Sequence, residues 1–242
     1  MLPIISHEFR LSHHSIVLLG NQELITVDDR PARNMALRMG ARQDRICFIH
    51  VPSGHKGRGH KTIQLPDFTK PIEAEGTILK VRGDAAILQT ADCPTVILCD
   101  TKTNNVVVAH AGRPALTPPT ECATCNFSVL DAAYMQLRGH EKADESVCAH
   151  IVGSICGQCF VHDKPGAEEF VKPFDRYGEE IFTDRSKGAL DLVRHIRKQL
   201  EWRGIPAKNI RHDGLCTKET PTLSSRRGGR YTTKNTIIVV RH

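Results

Sequence analysis

Apolar residues come in short runs bounded by glycine, proline, asparagine and aspartate, and their spacing switches between two periods. Ile46–Val51, Ala85–Gln89, Thr95–Cys99, Val106–Ala109, Val147–Ser154 and Asn235–Val240 are brief runs rich in Val, Ile and Thr, which predicts strands. Residues 14–28 read as two short strands around Gly20-Asn21. The helical period is clearest over Ala189–Trp202. Leu192, Ile196 and Leu200 fall at i, i+4 and i+8 with Ala189 and Val193 on the same stripe, and Gly204 and Pro206 close it. Shorter helices are expected over Pro31–Met39, closed near Gly40, and over Val129–Arg138, stopped by Gly139. Residues 53–62, with three Gly, two Lys, one Arg and two His, suit a loop, and the three prolines of 113–126 make that stretch irregular at first. Strands interleaved with helices, with hairpins among them, predict a mixed α/β fold in one domain over residues 1–242.

Composition narrows the function classes. The chain has 242 residues, 40% of them hydrophobic and 25% charged, enough for a core and unlike a disordered chain. Its longest apolar stretches, such as Ile16–Leu19, fall far short of the ~20 residues of a membrane span. Glu8, Arg10, His13 and His14 stand where a signal peptide needs apolar residues, so no export signal is expected. The net charge of +6 is compatible with a phosphate-bearing ligand, whereas 5% aromatic content gives nucleic acid little to stack on. The unusual counts are 9 Cys and 13 His. An odd cysteine number without an export signal points to reduced thiols in the cytoplasm, used for metal binding or catalysis.

Four groups of residues carry candidate chemistry. Cys93 precedes the first strand of a hairpin that turns at Asp100–Asn105, and His110 ends the second strand. Antiparallel pairing puts both at the open end, a few residues apart in register. They read as a nucleophile and its base, as two soft metal ligands, or as a buried structural cysteine beside a surface histidine. His50, His55 and His60 flank the glycine-rich loop, where solvation is the ordinary fate of a histidine. Gly214-Leu215-Cys216-Thr217 followed by Ser224-Ser225-Arg226-Arg227-Gly228-Gly229-Arg230 could cradle an oxyanion, although an exposed basic turn has the same composition. Cys122/Cys125 and Cys156/Cys159 are two CxxC pairs with zinc-chelating spacing, separated by more sequence than in compact zinc ribbons. Cys148 reads as core.

Thr90-Ala91-Asp92-Cys93, a hairpin, then Ala109-His110-Ala111-Gly112 resembles the laccase-domain family. These proteins bear the name polyphenol oxidase and are regarded as purine nucleoside phosphorylases with adenosine deaminase activity. Glu73-Ala74-Glu75-Gly76, Gly153-Ser154-Ile155-Cys156-Gly157, the Leu190–Trp202 helix, Cys216-Thr217 and Ser225-Arg226-Arg227 follow in the family's order, so the resemblance covers roughly residues 30–242. It implies a single-domain, mixed-sheet α-β-β-α sandwich of the laccase-domain and cysteine-hydrolase-like type. It also implies one Zn2+ bound by two His and one Cys: Cys93, His110 and a third ligand that the family carries in a Gln-Val-His-Gly segment. That segment is absent here. His55 is the first choice by position, His60 the second and His50 the third. The implied substrates are a small-molecule nucleoside and phosphate, with no nucleic acid or membrane partner, in a cytoplasmic monomer or homodimer. Asp92 would shuttle a proton or orient a zinc ligand, and Arg226 and Arg227 would hold phosphate against the ribose.

This chain departs from the family around the expected pocket. The Trp after His-Ala-Gly and the Leu after Ala-Asp-Cys are missing, Leu223-Ser224 replaces the aromatics before the arginine pair, and Gly228 stands where an acidic residue is common. Two rival readings predict different behaviour. A metal-free cysteine hydrolase or deamidase would use Cys93 as nucleophile and His110 as base. A non-catalytic zinc module would use the CxxC pairs, keeping zinc after Cys93→Ala and losing it after Cys122→Ser. Copper is less expected than zinc, because the chain lacks the His-x-His pairs that a multicopper cluster uses.

Overall fold

The computed structural model describes residues 4–10, 14–22, 30–51, 62–117, 127–230 and 233–242. In chain order the first half holds β1 (Ile4–Arg10), β2 (His14–Gln22), α1 (Arg30–Arg38), β3 (Ile46–His50), β4 (Ile63–Gln64), β5 (Ile72–Glu73), β6 (Gly76–Leu79), β7 (Ala85–Thr90), β8 (Thr95–Asp100) and β9 (Val106–His110). The second half holds α2 (Arg113–Leu116), α3 (Val129–Arg138), β10 (Val147–Val152), β11 (Phe182–Asp184), β12 (Ala189–Leu190), α4 (Leu192–Trp202), β13 (Ile210–His212) and β14 (Lys234–Arg241). Short 3-10 turns fill much of 168–187.

Two mixed six-stranded sheets form the centre. One runs β1-β2-β14-β7-β3-β5 and the other β13-β10-β8-β9-β6-β4. The period-2 alternation of the strands decides how the layers stack. On β14, Ile237 and Val239 face the space between the sheets, while Ile238 and Val240 face α1; β2 splits Ile16 and Leu18 from Val17 and Leu19 in the same way. On β8, Ile97 and Cys99 face inward, while Val96 and Leu98 pack against α2, α3 and α4. Both faces of these strands are therefore apolar, and the layers read α-β-β-α. Among the described residues no helix is long and apolar enough to cross a membrane.

Several element boundaries differ from the sequence reading. Residues 14–22 form one strand that continues through Gly20, because β1 pairs along one edge and β14 along the other. The long helix starts at Leu192 rather than Ala189. Asp191 caps it by accepting from the Arg194 amide at 2.9 Å, and Ala189–Leu190 pair with β11 instead. β10 stops at Val152, because Gly153 turns to φ +70°. The thiols are not all free as expected: Cys99 and Cys148 stand opposite each other on β8 and β10, 5.3 Å apart at Cα, and are joined in a disulfide.

His195 on α4 is fully buried among Phe174 and Tyr177. Burial pushes its pKa down to about 3, helped by the charge of Lys198 and opposed by a backbone hydrogen bond. The unfolded chain protonates His195 near the ordinary value of 6.5, so this group's contribution is intact above about pH 6.5 and is lost as pH falls toward 3. Stability should decline over that window by up to a few kcal/mol. The share due to His195 should disappear in His195→Leu, measured as urea midpoints across pH.

Candidate active site

β8 and β9 pair antiparallel with Thr95 opposite His110, and the Ala111 amide donates to Pro94 O at 2.8 Å. This brings the Cys93 thiol and the His110 imidazole together at the mouth of the hairpin. Gly112 lines the space they share. A Cβ built there would lie 2.9 Å from His110 Nε2 and 3.1 Å from Cys93 Sγ.

Behind the imidazole stands Glu75, 97% buried. Its Oε2 lies 2.6 Å from His110 Nδ1, and its carbonyl accepts from the His110 amide at 2.7 Å. Gly76 permits this approach of β6 to β9, since a Cβ there would sit 2.1 Å from Val108 O. Burial opposes a charge on His110, but hydrogen bonds to Cys93 and Glu75 outweigh it and push the pKa up to about 10. With Nδ1 occupied by the carboxylate, Nε2 points at the thiol.

Gly112 carries a direct test. Its backbone, φ −66° and ψ 157°, suits any residue, so Ala costs nothing in the chain itself. The added Cβ would meet His110 Cε1 at 2.7 Å. Gly112→Ala should therefore lower kcat/KM about 10²-fold by misplacing the pair, and the displacement of His110 should lower the thermal midpoint by several degrees.

The Asp92 carboxylate is engaged by other partners. Its Oδ1 accepts from Thr217 Oγ1 at 2.8 Å and Ser225 Oγ at 2.6 Å, and its Oδ2 from the Arg227 amide at 2.9 Å. The carboxylate thus holds the arginine loop. Within that loop the three arginines divide. Arg230 spends its guanidinium on the carbonyls of Leu223, Thr217 and Lys218, whereas Arg226 and Arg227 are exposed.

Two further cations close the ring, and the sequence reading missed both. Arg113 starts α2 directly after Gly112, in electrostatic contact with Cys93 and Arg227, and stacks on Phe170 at 4.3 Å. Lys234, at the start of β14, is held below the ordinary lysine range by burial and by Arg226, against the pull of Cys93 and Asp92. Arg113 occupies the place of the missing Trp, which was the available signal; Lys234 had none. A cleft of 340 Å³ opens beside Arg227, lined by His162, Pro165 and Phe170 among others, within the size range of small-molecule sites.

Of the three histidines weighed as the remaining ligand, His50 is exposed at the end of β3, the edge at which β7 delivers Thr90. His55, His60, Cys122 and Cys125 lie outside the described residues. Among the described residues, three or more metal-ligating atoms converge within 4.8 Å in two other places. One is Cys156, Cys159 and Cys216 with Glu219. The other is His14, Cys99 and His150, all buried, at the far end of β8 from Cys93. There His14 Nε2 lies 3.8 Å from Cys99 Sγ, and burial with the charge of Arg211 pushes His150 down to about 4, leaving the neutral imidazole that metals bind. This His/Cys/His group can hold a metal ion, once Cys99 is released from Cys148.

The chain is thus a layered α/β protein, a four-layer sandwich with a carboxylate–imidazole–thiol chain at a hairpin mouth and cations close by. The chain belongs to the family described as multi-copper polyphenol oxidoreductase laccase, whose model matches residues 29–241. It is similar to a purine nucleoside phosphorylase of Streptomyces coelicolor, 27% identical over 172 residues covering 70% of this chain and 65% of the relative. A second purine nucleoside phosphorylase, of Streptomyces griseus, is 28% identical over 62% of this chain and 56% of the relative. The matched stretches thus span less than two thirds of either relative's length. An adenosine deaminase from an unknown prokaryotic organism is 22% identical, covering 87% of this chain and 80% of the relative. In fold, the chain resembles hypothetical protein YfiH of Bacillus licheniformis, with a TM-score of 0.72 at 16% identity, covering 94% of this chain and 92% of that one. It also resembles YlmD from Geobacillus stearothermophilus, with a TM-score of 0.68 at 20% identity and 99% of both chains covered.

Proposed function

We propose that the chain is a zinc-dependent purine nucleoside enzyme that cleaves nucleosides with phosphate and deaminates adenosine. The observation that carries this reading is the convergence of Cys93 Sγ and His110 Nε2 on the space before Gly112, within reach of several cations. The pair fits zinc: one sulfur and one imidazole nitrogen whose other nitrogen is held by a buried carboxylate. A third ligand would complete the set, with His55 the first choice and His60 and His50 behind it. Bound there, zinc supplies Lewis acidity and a water of lowered pKa.

The chain's own residues do the rest. Arg226 and Arg227, with Arg113 and Lys234 nearby, receive phosphate and hold one of its oxygens toward C1′ of the ribose. That oxygen bonds to C1′ as the C1′–N9 bond breaks, and the purine leaves with its electron pair and takes up a proton from solvent. Asp92 keeps the arginine loop in place through Thr217, Ser225 and the Arg227 amide; its oxygens are committed to these donors rather than to a travelling proton. The cleft beside Phe170 gives the base an apolar wall.

The test is release of free base from adenosine, inosine and guanosine, with and without phosphate. Phosphate-dependent release that stops on chelation and returns with zinc is expected; turnover of none of the three would overturn the reading. A metal-free cysteine hydrolase is the second reading, favoured by the in-line order Glu75–His110–Cys93. Iodoacetamide would then inactivate the protein while a chelator would not.

A further inference from the structure

We propose that Cys156, Cys159, Cys216 and Glu219 form a separate structural zinc site, which ties two loops together behind the arginine loop. It stands independently of the Cys93 site and of any catalytic reading. The sequence pairs Cys156 with Cys159 at chelating spacing; the fold adds a third thiol from 57 residues further along the chain, and a carboxylate three residues beyond it.

The local backbone aims these groups inward. The amides of Cys159 and Phe160 both donate to Cys156 O, at 3.1 and 3.0 Å, which makes the tight turn that lets two thiols of a CxxC segment face one ion. Gly157 within that turn packs against Thr183 and Asp191, where a Cβ would come to 2.6 Å. The Cys156 amide donates to Cys216 Sγ at 3.3 Å, the kind of N–H contact that supports a metal-bound sulfur. Cys159 Sγ lies 3.4 Å from Glu219 Oε1. All four ligand atoms lie within 4.8 Å of one another. Zinc–sulfur bonds of ~2.3 Å in a tetrahedron put sulfurs roughly 3.8 Å apart, so closing on an ion needs movements of about an ångström at most. Three soft thiolates and one harder carboxylate make a complete four-ligand set with no open position, the closed coordination of a structural rather than a catalytic zinc. The cluster is free of the disulfide that engages Cys99 and Cys148.

Its position gives the site a consequence. Ile155, next to Cys156, donates its amide to Asp92 O at 2.9 Å. Thr217, next to Cys216, donates its hydroxyl to the Asp92 carboxylate and its amide to Ser154 O. An ion joining Cys156 to Cys216 therefore clamps both segments that grip Asp92, and through it the loop of Arg226 and Arg227.

Differential alkylation tests this without any substitution. The full chain, reduced and loaded with zinc, is treated with iodoacetamide before and after zinc removal, and each cysteine is read by peptide mass. Cys156, Cys159 and Cys216 should be protected together with zinc and modified together without it. Equal modification in both states, or a disulfide among these three in protein that binds zinc elsewhere, would overturn the site. In a Cys93→Ala background, Cys216→Ser should remove one further zinc equivalent, while Cys159→His should retain it by supplying an imidazole ligand. Cobalt loaded into Cys93→Ala itself should give thiolate-to-metal charge-transfer absorption of three-sulfur intensity; its absence would equally count against the proposal.

Discussion

Cys93→Ala is expected to lower kcat/KM for nucleoside phosphorolysis on the order of 10³-fold while leaving the thermal midpoint within a few degrees of wild type. Cys93 is only partly buried, so removing its sulfur leaves no large cavity in either core layer. Its chemistry, by contrast, has no substitute nearby among the described residues. Among the described residues the other free thiols are Cys47, Cys156, Cys159 and Cys216, none of which shares the space before Gly112 with His110. The pair of measurements is steady-state kinetics with adenosine or inosine and thermal unfolding of the same preparations. A large loss of activity with the fold intact assigns the thiol to chemistry; parallel losses of both would assign it to structure.

Asp92→Ala should behave in the opposite way, with a large effect on stability and on phosphate binding together. Its carboxylate is the buried acceptor for two hydroxyls and one amide, and both hydroxyl residues, Thr217 and Ser225, are fully buried. Removing it strands those donors, at about 1–3 kcal/mol for each left unsatisfied. A total of about 3 kcal/mol corresponds to a fall of roughly 10 °C in the thermal midpoint for a chain of this size. Because the Arg227 amide is one of the three donors, KM for phosphate should rise at least about tenfold, with a smaller change in kcat. Asp92→Asn keeps one accepting oxygen and should fall between the two. A wild-type KM for phosphate in the Ala variant would mean that Asp92 does not position the arginine loop.

The hairpin was legible in the sequence because its signals are local. Asp100 accepts from the Lys102 amide at 2.9 Å and from Thr103 Oγ1 at 3.0 Å, and Asn104 takes φ 58°, the turn chemistry that Asp-Thr-Lys-Thr-Asn-Asn advertises. Once that turn is fixed, alternation and pairing place Cys93 and His110 at one end. Elements that depend on distant partners were not legible. The strand through Gly20 is held by β1 and by β14, which arrives more than 200 residues later. The disulfide follows from the β8–β10 register, which no local pattern encodes. Lys234 reaches the site through the pairing of β14 with β7, and Cys216 reaches Cys156 through a loop crossing. Glu75 was visible only as part of a landmark segment; its role depends on the pairing of β6 with β9. Asp92 was placed at the site, but adjacency in sequence to Cys93 said nothing about which way its carboxylate turns.

Zinc per chain, measured by elemental analysis on wild type and Cys93→Ala purified without a metal-affinity tag, decides most directly whether Cys93 and His110 form a metal centre. Wild type should hold one equivalent more than Cys93→Ala, whatever the cysteine cluster at Cys156 contributes to both. Equal zinc in the two proteins would contradict a metal at Cys93 and leave the Glu75–His110–Cys93 chain to act as a metal-free nucleophile.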